Sequence, residues 1–268
     1  MEKELGGSVY IHDNLLERVY PEPPAVDKVV EFMKKKKTLR FKLSSREEKA
    51  SYEPFRDLLN SVKSAMNELG LVDKSIYGNI EFEVYDRHMA EGSDVDSPLK
   101  PDLIARDKDR LTNNPASWAE VEFCVEVKAD WGKLVSQAST YARCLFSFQR
   151  SRRFVPMIYL QHDKKIVSFG IHTAAWLCLS KPVNIGSAAG LKKFVESMAR
   201  IYSCEDRWTA GFDLSCNNRM CYLNGLGTYS FTKNLCLRMS VLGRRTRVDV
   251  MTRSTCLVLL QYRYIHVN

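Results

Sequence analysis

Three charged residues, Asp102, Glu126 and Lys128, are spaced so that they can act together on one substrate. Glu126 and Lys128 lie two positions apart in a stretch that alternates apolar and polar residues, so in a β-strand their side chains share a face. Asp102 follows Pro101 near the start of a neighbouring predicted strand and can project beside them. Two carboxylates that meet repel each other unless a cation is present, and Mg²⁺ is the hard, oxygen-seeking cation suited to that place. We therefore predict a Mg²⁺ site, with Mn²⁺ as the alternative ion.

The reaction that such a site supports is the hydrolysis of a phosphodiester. A bound divalent cation lowers the pKa of its water and polarises the scissile phosphate. Lys128, held as a cation beside the carboxylates, can position the attacking water or stabilise the developing charge. A plainer interpretation stays open, in which Asp102 opens a strand or caps a turn and the Glu126–Lys128 pair lies on a solvent-exposed strand.

Periodicity predicts the elements that position these residues. Apolar residues at helical spacing indicate a helix over residues 45–69, and Ser45 with Glu48 fits a capping box at its start. Alternation predicts strands over 80–85, 99–105 and 119–128, the last with Glu120, Glu122, Cys124, Glu126 and Lys128 on its polar face. The remaining predicted elements are helices over 26–37, 131–149 and 190–201, and strands near 154–161 and 166–171.

The central order is helix, strand, strand with Pro101-Asp102, strand with Glu126-Val127-Lys128, helix, strand. That order and those residues resemble the PD-(D/E)XK nuclease superfamily. The resemblance implies an α/β fold with a mixed central sheet flanked by helices. It also implies that the Val127 carbonyl joins Asp102 and Glu126 as a metal ligand.

A second motif follows on the next predicted helix. Gln137 and Tyr141 lie four positions apart, so they share a helix face. Gln-x-x-x-Tyr after the E-x-K strand resembles the pattern of RecB-type members of the superfamily. By that resemblance the two side chains line the active site, take part in catalysis and help to seat nucleic acid. The alternative is that Tyr141 is a core residue.

Superfamily members often draw one more acidic ligand from the first helix. By helical phase Glu48 lies near the middle of the apolar stripe and faces the sheet, whereas Glu53 lies nearly opposite and faces water. Glu48 is therefore the preferred further metal ligand. Its alternative role is the capping box with Ser45.

A narrower resemblance covers residues 45 to about 250. Lys100-Pro101-Asp102-Leu103, Trp118 before the Glu126-Val127-Lys128 strand, and the stretch 137–154 are similar to the region before the kinase domain in the fungal-type protein kinase family. Residues 242–248 resemble that family's entry into its kinase small lobe. A kinase also needs a strand lysine, a catalytic loop and a D-F-G aspartate, and none follows Val248, so we expect no kinase activity.

Two further functions therefore stand beside the nuclease. One is a non-catalytic accessory or regulatory module of a fungal-type protein kinase. The other is an α/β interaction domain without a metal. Three regions are predicted: an N-terminal extension with a short helix (1–44), a nuclease-like domain (45–205) and a β-rich segment similar to the start of a kinase small lobe (206–268). Short strands are expected in the last region, near 220–223, 229–232, 235–241 and 246–250.

Composition limits the partners. The formal net charge of the 268 residues is +8, which favours nucleic acid, either DNA or RNA. The lysines at 34–37 have two interpretations: a patch that contacts phosphates or directs nuclear import, or a solvated helix end. The trio Arg150, Arg152 and Arg153 likewise either contacts phosphates or ends a helix in solvent. We expect no membrane partner and a cytoplasmic or nuclear location, since the chain has neither a run of about 18 apolar residues nor an apolar leader.

Eight cysteines without a C-x-x-C pair predict reduced thiols and no structural zinc.

Overall fold

The structure is a computed structural model. It describes residues 8–39, 41–44, 46–72, 74–90, 99–110, 115–173, 175–216, 220–223, 227–237, 246–253 and 256–263. Ser45 of the predicted capping box, and residues 242–245 of the kinase-like motif, lie outside these ranges.

A mixed β-sheet forms the centre of the fold. Its strands are β1 (Val9–His12), β2 (Ile80–Val84), β3 (Leu103–Asp107), β4 (Phe123–Lys128), β5 (Val155–Gln161), β6 (Ile166–His172), β7 (Leu177–Ser180) and β8 (Val183–Asn184). They run in the order β1-β7-β6-β5-β4-β3-β2, and β8 pairs with β6. The β1–β7 and β4–β5 pairs are parallel, whereas the others are antiparallel. The predicted α/β fold with a mixed central sheet is confirmed.

Helices cover both faces of this sheet. They are α1 (Leu15–Val19), α2 (Val26–Lys35), α3 (Tyr52–Glu68), α4 (Trp131–Phe148) and α5 (Ala188–Tyr202). The apolar side of α4 packs on one face, and the other four helices share a core on the opposite face. Within the described ranges, no helix is long and apolar enough to span a membrane.

Helix α4 is the connection that makes β4 and β5 parallel, because parallel neighbours need a crossover. The Asp130 side chain caps α4 by accepting a hydrogen bond from the Lys133 backbone N–H at 2.7 Å. Only Ala129 and Asp130 therefore separate the end of β4 at Lys128 from the start of the helix. This short connection holds the last residues of β4 against the start of α4.

Two central strands begin later than predicted. β3 begins at Leu103 and β4 at Phe123, so Glu120 and Glu122 precede β4 and do not share its polar face. Each of these two glutamates has its own counter-charge. Arg106 Nη1 lies 3.8 Å from Glu120 Oε2, and Arg152 Nη2 lies 2.9 Å from Glu122 Oε2.

Arg152 is a structural residue, so the prediction of a solvated arginine trio is wrong for it. Its side chain is fully buried, and besides Glu122 it donates to Gln149 Oε1 at 2.5 Å and to the Glu122 carbonyl at 3.1 Å. Its guanidinium also stacks 3.8 Å from the centre of the Phe212 ring. Arg152 thereby joins the end of α4 to the segments before β4 and after α5. The lysines at 34–37 are exposed at the end of α2, and Lys36 pairs with Glu68.

The ends of the chain hold elements that the periodicity did not predict. Residues before 45 contribute β1 to the edge of the central sheet, and α1 to its core. β7 and β8 were also not predicted. In the β-rich segment, by contrast, β9 (Met220–Leu223), β10 (Gly227–Leu237) and β11 (Thr246–Arg253) lie where short strands were predicted, and they form a second sheet with β12 (Cys256–Arg263), which was not predicted.

The cysteine prediction holds only in part. Among the cysteines whose side chains the structure describes, four are free and buried thiols, at Cys124, Cys144, Cys178 and Cys204. Cys216 and Cys221 form a disulfide, so the prediction of reduced thiols is wrong for this pair. The two residues face each other in an isolated β-bridge, which brings their side chains together.

We predict that Glu122→Ala destabilises the fold by roughly 2–3 kcal/mol, because it leaves the buried Arg152 cation without its carboxylate. The measurement is the free energy of unfolding in urea. Asp13→Ala is the control, since its pair with Lys181 is exposed on both sides and should change stability by less than about 1 kcal/mol. Equal losses in the two variants would contradict the structural role of the Glu122–Arg152 pair.

Candidate functional site

The predicted site residues meet where β4 ends and β3 begins. Asp102 immediately precedes β3, and its Oδ2 accepts a hydrogen bond of 2.8 Å from the Val127 backbone N–H of β4. Asp102 stands at the opening of β3, as in the plainer interpretation, but it is 4% exposed and its carboxylate also contacts Tyr52, so it links distant segments. The same bond fixes the Asp102 carboxylate beside the end of β4.

The Lys128 ammonium lies among four oxygen atoms. Its Nζ is 2.7 Å from Glu48 Oε1, 3.0 Å from Glu126 Oε1, 3.1 Å from the Val127 carbonyl oxygen and 3.3 Å from Asp102 Oδ2. These four residues are the ones predicted as metal ligands. The structure therefore brings an oxygen from each of them within contact of one cationic nitrogen.

Glu126 is the most deeply placed of the three acids. It lies in β4 between β3 and β5 and is 0% exposed, which rules out the interpretation of a solvent-exposed strand pair. Its contact with Lys128 is an ion pair. Among the described residues, neither carboxylate oxygen of Glu126 accepts a hydrogen bond. A buried carboxylate in this state is costly unless a further partner is supplied.

Burial and mutual repulsion set the protonation of the cluster. Burial raises the pKa of Glu126 well above its ordinary value, and the negative charge of Asp102 raises it further. Burial likewise raises the pKa of Asp102, although Lys128 opposes the shift. Burial disfavours the Lys128 ammonium, but Glu126 and Asp102 outweigh it, so the pKa of Lys128 is raised. Lys128 therefore stays a cation, whereas the buried acids retain protons to higher pH than free ones.

Glu48 enters the cluster from the segment before α3. It precedes a short 3₁₀ turn (Lys49–Ser51), so it is not inside the helix as predicted, and α3 itself begins at Tyr52. Its side chain is 33% exposed, which makes it the most accessible acid of the cluster. Glu53 is exposed on the other side of the helix, as predicted.

Tyr52 is a site residue that the sequence analysis missed. Its hydroxyl oxygen lies 2.6 Å from Asp102 Oδ1 and 2.8 Å from Glu48 Oε1. The residue is 3% exposed, so its ring is part of the core and only its hydroxyl reaches the cluster. Its spacing of four from Glu48 was the available signal, since such pairs are neighbours on a helical turn.

Gln137 and Tyr141 form a connected pair beside the cluster. Gln137 donates to the Tyr141 hydroxyl at 2.6 Å, and that hydroxyl donates to the Lys100 carbonyl at 2.8 Å. Tyr141 is 0% exposed, so it is a core residue as well as part of this network. Burial raises the pKa of Tyr141, and the nearby charges of Glu126 and Asp102 add to the effect. The pair therefore buttresses the segment that leads into Asp102.

The donor set fits a hard divalent cation in chemical type. It consists of three carboxylates and one carbonyl, and the oxygens of buried Glu126 lack hydrogen bonds within the described residues. With the side chains as placed, no three described His, Cys, Asp or Glu side chains approach closely enough to hold a metal ion. Lys128 lies at the point of convergence, so its ammonium must leave before an ion can bind there.

Comparison with protein-family models, curated proteins and solved structures found no match to this chain. The functional interpretation therefore depends on the geometry of the site itself.

We predict that Glu126→Gln raises the free energy of unfolding at pH 7 by about 1–2 kcal/mol, because it replaces a buried carboxylate with a neutral group of the same shape. The pKa of Glu126 is raised in the folded protein, so its ionisation weakens the fold as pH rises from about 4.5. The gap between variant and wild type should accordingly grow from pH 4.5 to pH 8 in urea unfolding. Glu53→Gln is the control, since Glu53 is exposed. If the difference in unfolding free energy between Glu126→Gln and the wild type shrinks with rising pH, the proposed cost of ionising Glu126 is refuted.

Proposed function

We propose that the protein is a metal-dependent phosphodiesterase of the PD-(D/E)XK nuclease type that acts on nucleic acid. One observation carries the proposal. Oxygen atoms of Glu48, Asp102, Glu126 and Val127 all lie within 3.3 Å of Lys128 Nζ. A salt bridge needs one carboxylate, whereas three acids and a carbonyl around one lysine form an oxygen-rich donor set of the kind that a hard divalent cation prefers.

Each side chain has a distinct part in this proposal. Asp102, Glu126 and the Val127 carbonyl would hold Mg²⁺ or Mn²⁺, and Glu48 would complete the set from the accessible side. The ion supplies Lewis-acid activation of water and of the scissile phosphate. Hydrolysis adds the oxygen of water to phosphorus and breaks one ester P–O bond, while the departing oxygen takes up a proton.

Lys128 changes its contacts between the two states of the site. Without the ion its ammonium neutralises part of the acid cluster. With an ion in place, the flexible four-carbon stem of Lys128, whose side chain is 19% exposed, would let the ammonium move outwards. There its charge can orient the attacking water or stabilise the phosphate in the transition state.

The rim of the site offers further contacts for a polyanion. Lys49 directly follows Glu48 in the sequence, and Lys100 directly precedes Pro101. Both lysines pair with Asp86, with nitrogen–oxygen distances of 2.5 Å for Lys49 and 3.3 Å for Lys100. These lysines are largely exposed, with side chains 71% and 40% accessible. Phosphates on either side of the scissile bond can bind them, in keeping with the net charge of +8.

We predict that the purified chain cleaves single- or double-stranded DNA or RNA in Mg²⁺ or Mn²⁺, and that Lys128→Met lowers the cleavage rate at least about 100-fold. Methionine keeps the apolar stem but removes the charge. The measurement is product formation from end-labelled substrates of all four kinds, with EDTA as the metal-free control. Lys133→Met is the matched lysine control, since Lys133 is exposed in the first turn of α4.

Cleavage that persists in EDTA or in Lys128→Met would reject the assigned site. Metal and nucleic-acid binding without cleavage of any substrate would favour the non-catalytic module of a fungal-type protein kinase. That second resemblance rests on the sequence alone.

We further predict that Lys128→Met binds Mn²⁺ at least as tightly as the wild type, because the ammonium competes for the same oxygens. Glu126→Gln, in contrast, should weaken Mn²⁺ binding at least about 10-fold, since it removes a buried anionic ligand. Electron paramagnetic resonance of free Mn²⁺ measures both affinities. Weaker binding by Lys128→Met than by the wild type would contradict the overlap of the two cations.

A further inference from the structure

We propose that Tyr52 is a positioning residue of the metal site, which holds the carboxylates of Asp102 and Glu48 in the orientation that the ion needs. This inference rests on the proposed function and adds to it a side chain that the sequence motifs do not contain. The Tyr52 hydroxyl oxygen lies 2.6 Å from Asp102 Oδ1 and 2.8 Å from Glu48 Oε1, so it contacts two prospective metal ligands at once.

The two acids that Tyr52 contacts come from separate parts of the fold. Asp102 lies at the start of β3 in the sheet, and Glu48 lies before α3 in the helical layer. Asp102 is already held by the Val127 N–H, whereas no described residue other than Tyr52 and Lys128 donates a hydrogen bond to the Glu48 carboxylate. When the ion displaces Lys128, Tyr52 is the donor that remains on Glu48.

The two oxygens of Asp102 have different partners. Oδ1 faces the Tyr52 hydroxyl, while Oδ2 faces the Val127 N–H and the Lys128 ammonium. The carboxylate is therefore fixed at both ends, and its Oδ2 points to the place that the ion would take. A phenol carries one proton, so Tyr52 can serve either acid but holds the oxygens of both within contact distance.

The ring of Tyr52 is held firmly enough for this role. The residue is 3% exposed and belongs to the core that α3 shares with the sheet. A hydroxyl on a buried ring has few orientations, so the two contacts are fixed before a metal arrives. Hydrogen-bonding groups behind metal ligands commonly contribute 10- to 100-fold to metal affinity.

The test is Tyr52→Phe, which removes only the hydroxyl, beside Tyr77→Phe as the matched control. Tyr77 is also fully buried in the same core, and its hydroxyl makes no hydrogen bond among the described residues. Mn²⁺ affinity is measured by electron paramagnetic resonance for the wild type and both variants. We expect about 10-fold or more weaker binding in Tyr52→Phe and unchanged binding in Tyr77→Phe.

A second readout separates positioning from general damage. In a cleavage assay, the Mg²⁺ concentration for half-maximal rate should rise about 10-fold or more in Tyr52→Phe, while the rate at saturating Mg²⁺ stays within about 3-fold of the wild type. Equal Mn²⁺ affinity in Tyr52→Phe and wild type would overturn the role of Tyr52 alone. Absence of Mn²⁺ binding by the folded wild type would overturn the metal site and, with it, this inference.

Discussion

The structure depends on the convergence of three carboxylates, two of them buried, around a single ammonium group. Glu126 and Asp102 are almost wholly inaccessible, and within the described ranges Lys128 is the one cation that pairs with either of them. The oxygens of the three acids converge because β4 ends at the place where β3 and the 3₁₀ turn before α3 begin. An arrangement with more acids than cations is costly in a protein interior, so the surrounding sheet and helices must hold these groups against their own repulsion.

Two buried arginines of the fold are arranged differently. Arg152 has Glu122, the Gln149 side chain and several carbonyls as partners, and Arg106 has Glu83 at 2.6 Å. These arginines are neutralised, and they join segments that are distant in the chain. Glu126 has an ion pair but no hydrogen bond within the described part of the chain. The contrast distinguishes charges that stabilise the fold from a charge that weakens it, and the latter is characteristic of functional sites.

The sequence was sufficient for the centre of the fold, because strand and helix periodicities are local. Both predicted spacings give the expected contacts in the structure. Glu126 pairs with Lys128 two positions along the strand, and Gln137 bonds to Tyr141 four positions along the helix. The edge strand β1 was not predictable in this way, since its side chains are largely exposed and its pairing with β7 joins residues far apart in sequence. Tyr52 was missed for a related reason, because an amphipathic pattern records the buried ring and not the hydroxyl at its end.

The choice of Glu48 shows how a correct ligand can follow from an incorrect element. Helical phase placed Glu48 towards the sheet, yet α3 begins only at Tyr52. Pro54 in the first turn is compatible with that start, because the N–H groups of a first turn have no partner within the helix. The 3₁₀ turn between Glu48 and Tyr52 keeps the backbone nearly helical, so the direction of the side chain is preserved. The tighter turn also leaves Glu48 outside the rigid helix and a third exposed. Under the proposed metal binding, Glu48 would therefore be the accessible ligand that Tyr52 holds in place, while Asp102 and Glu126 would be the ligands buried beside the sheet.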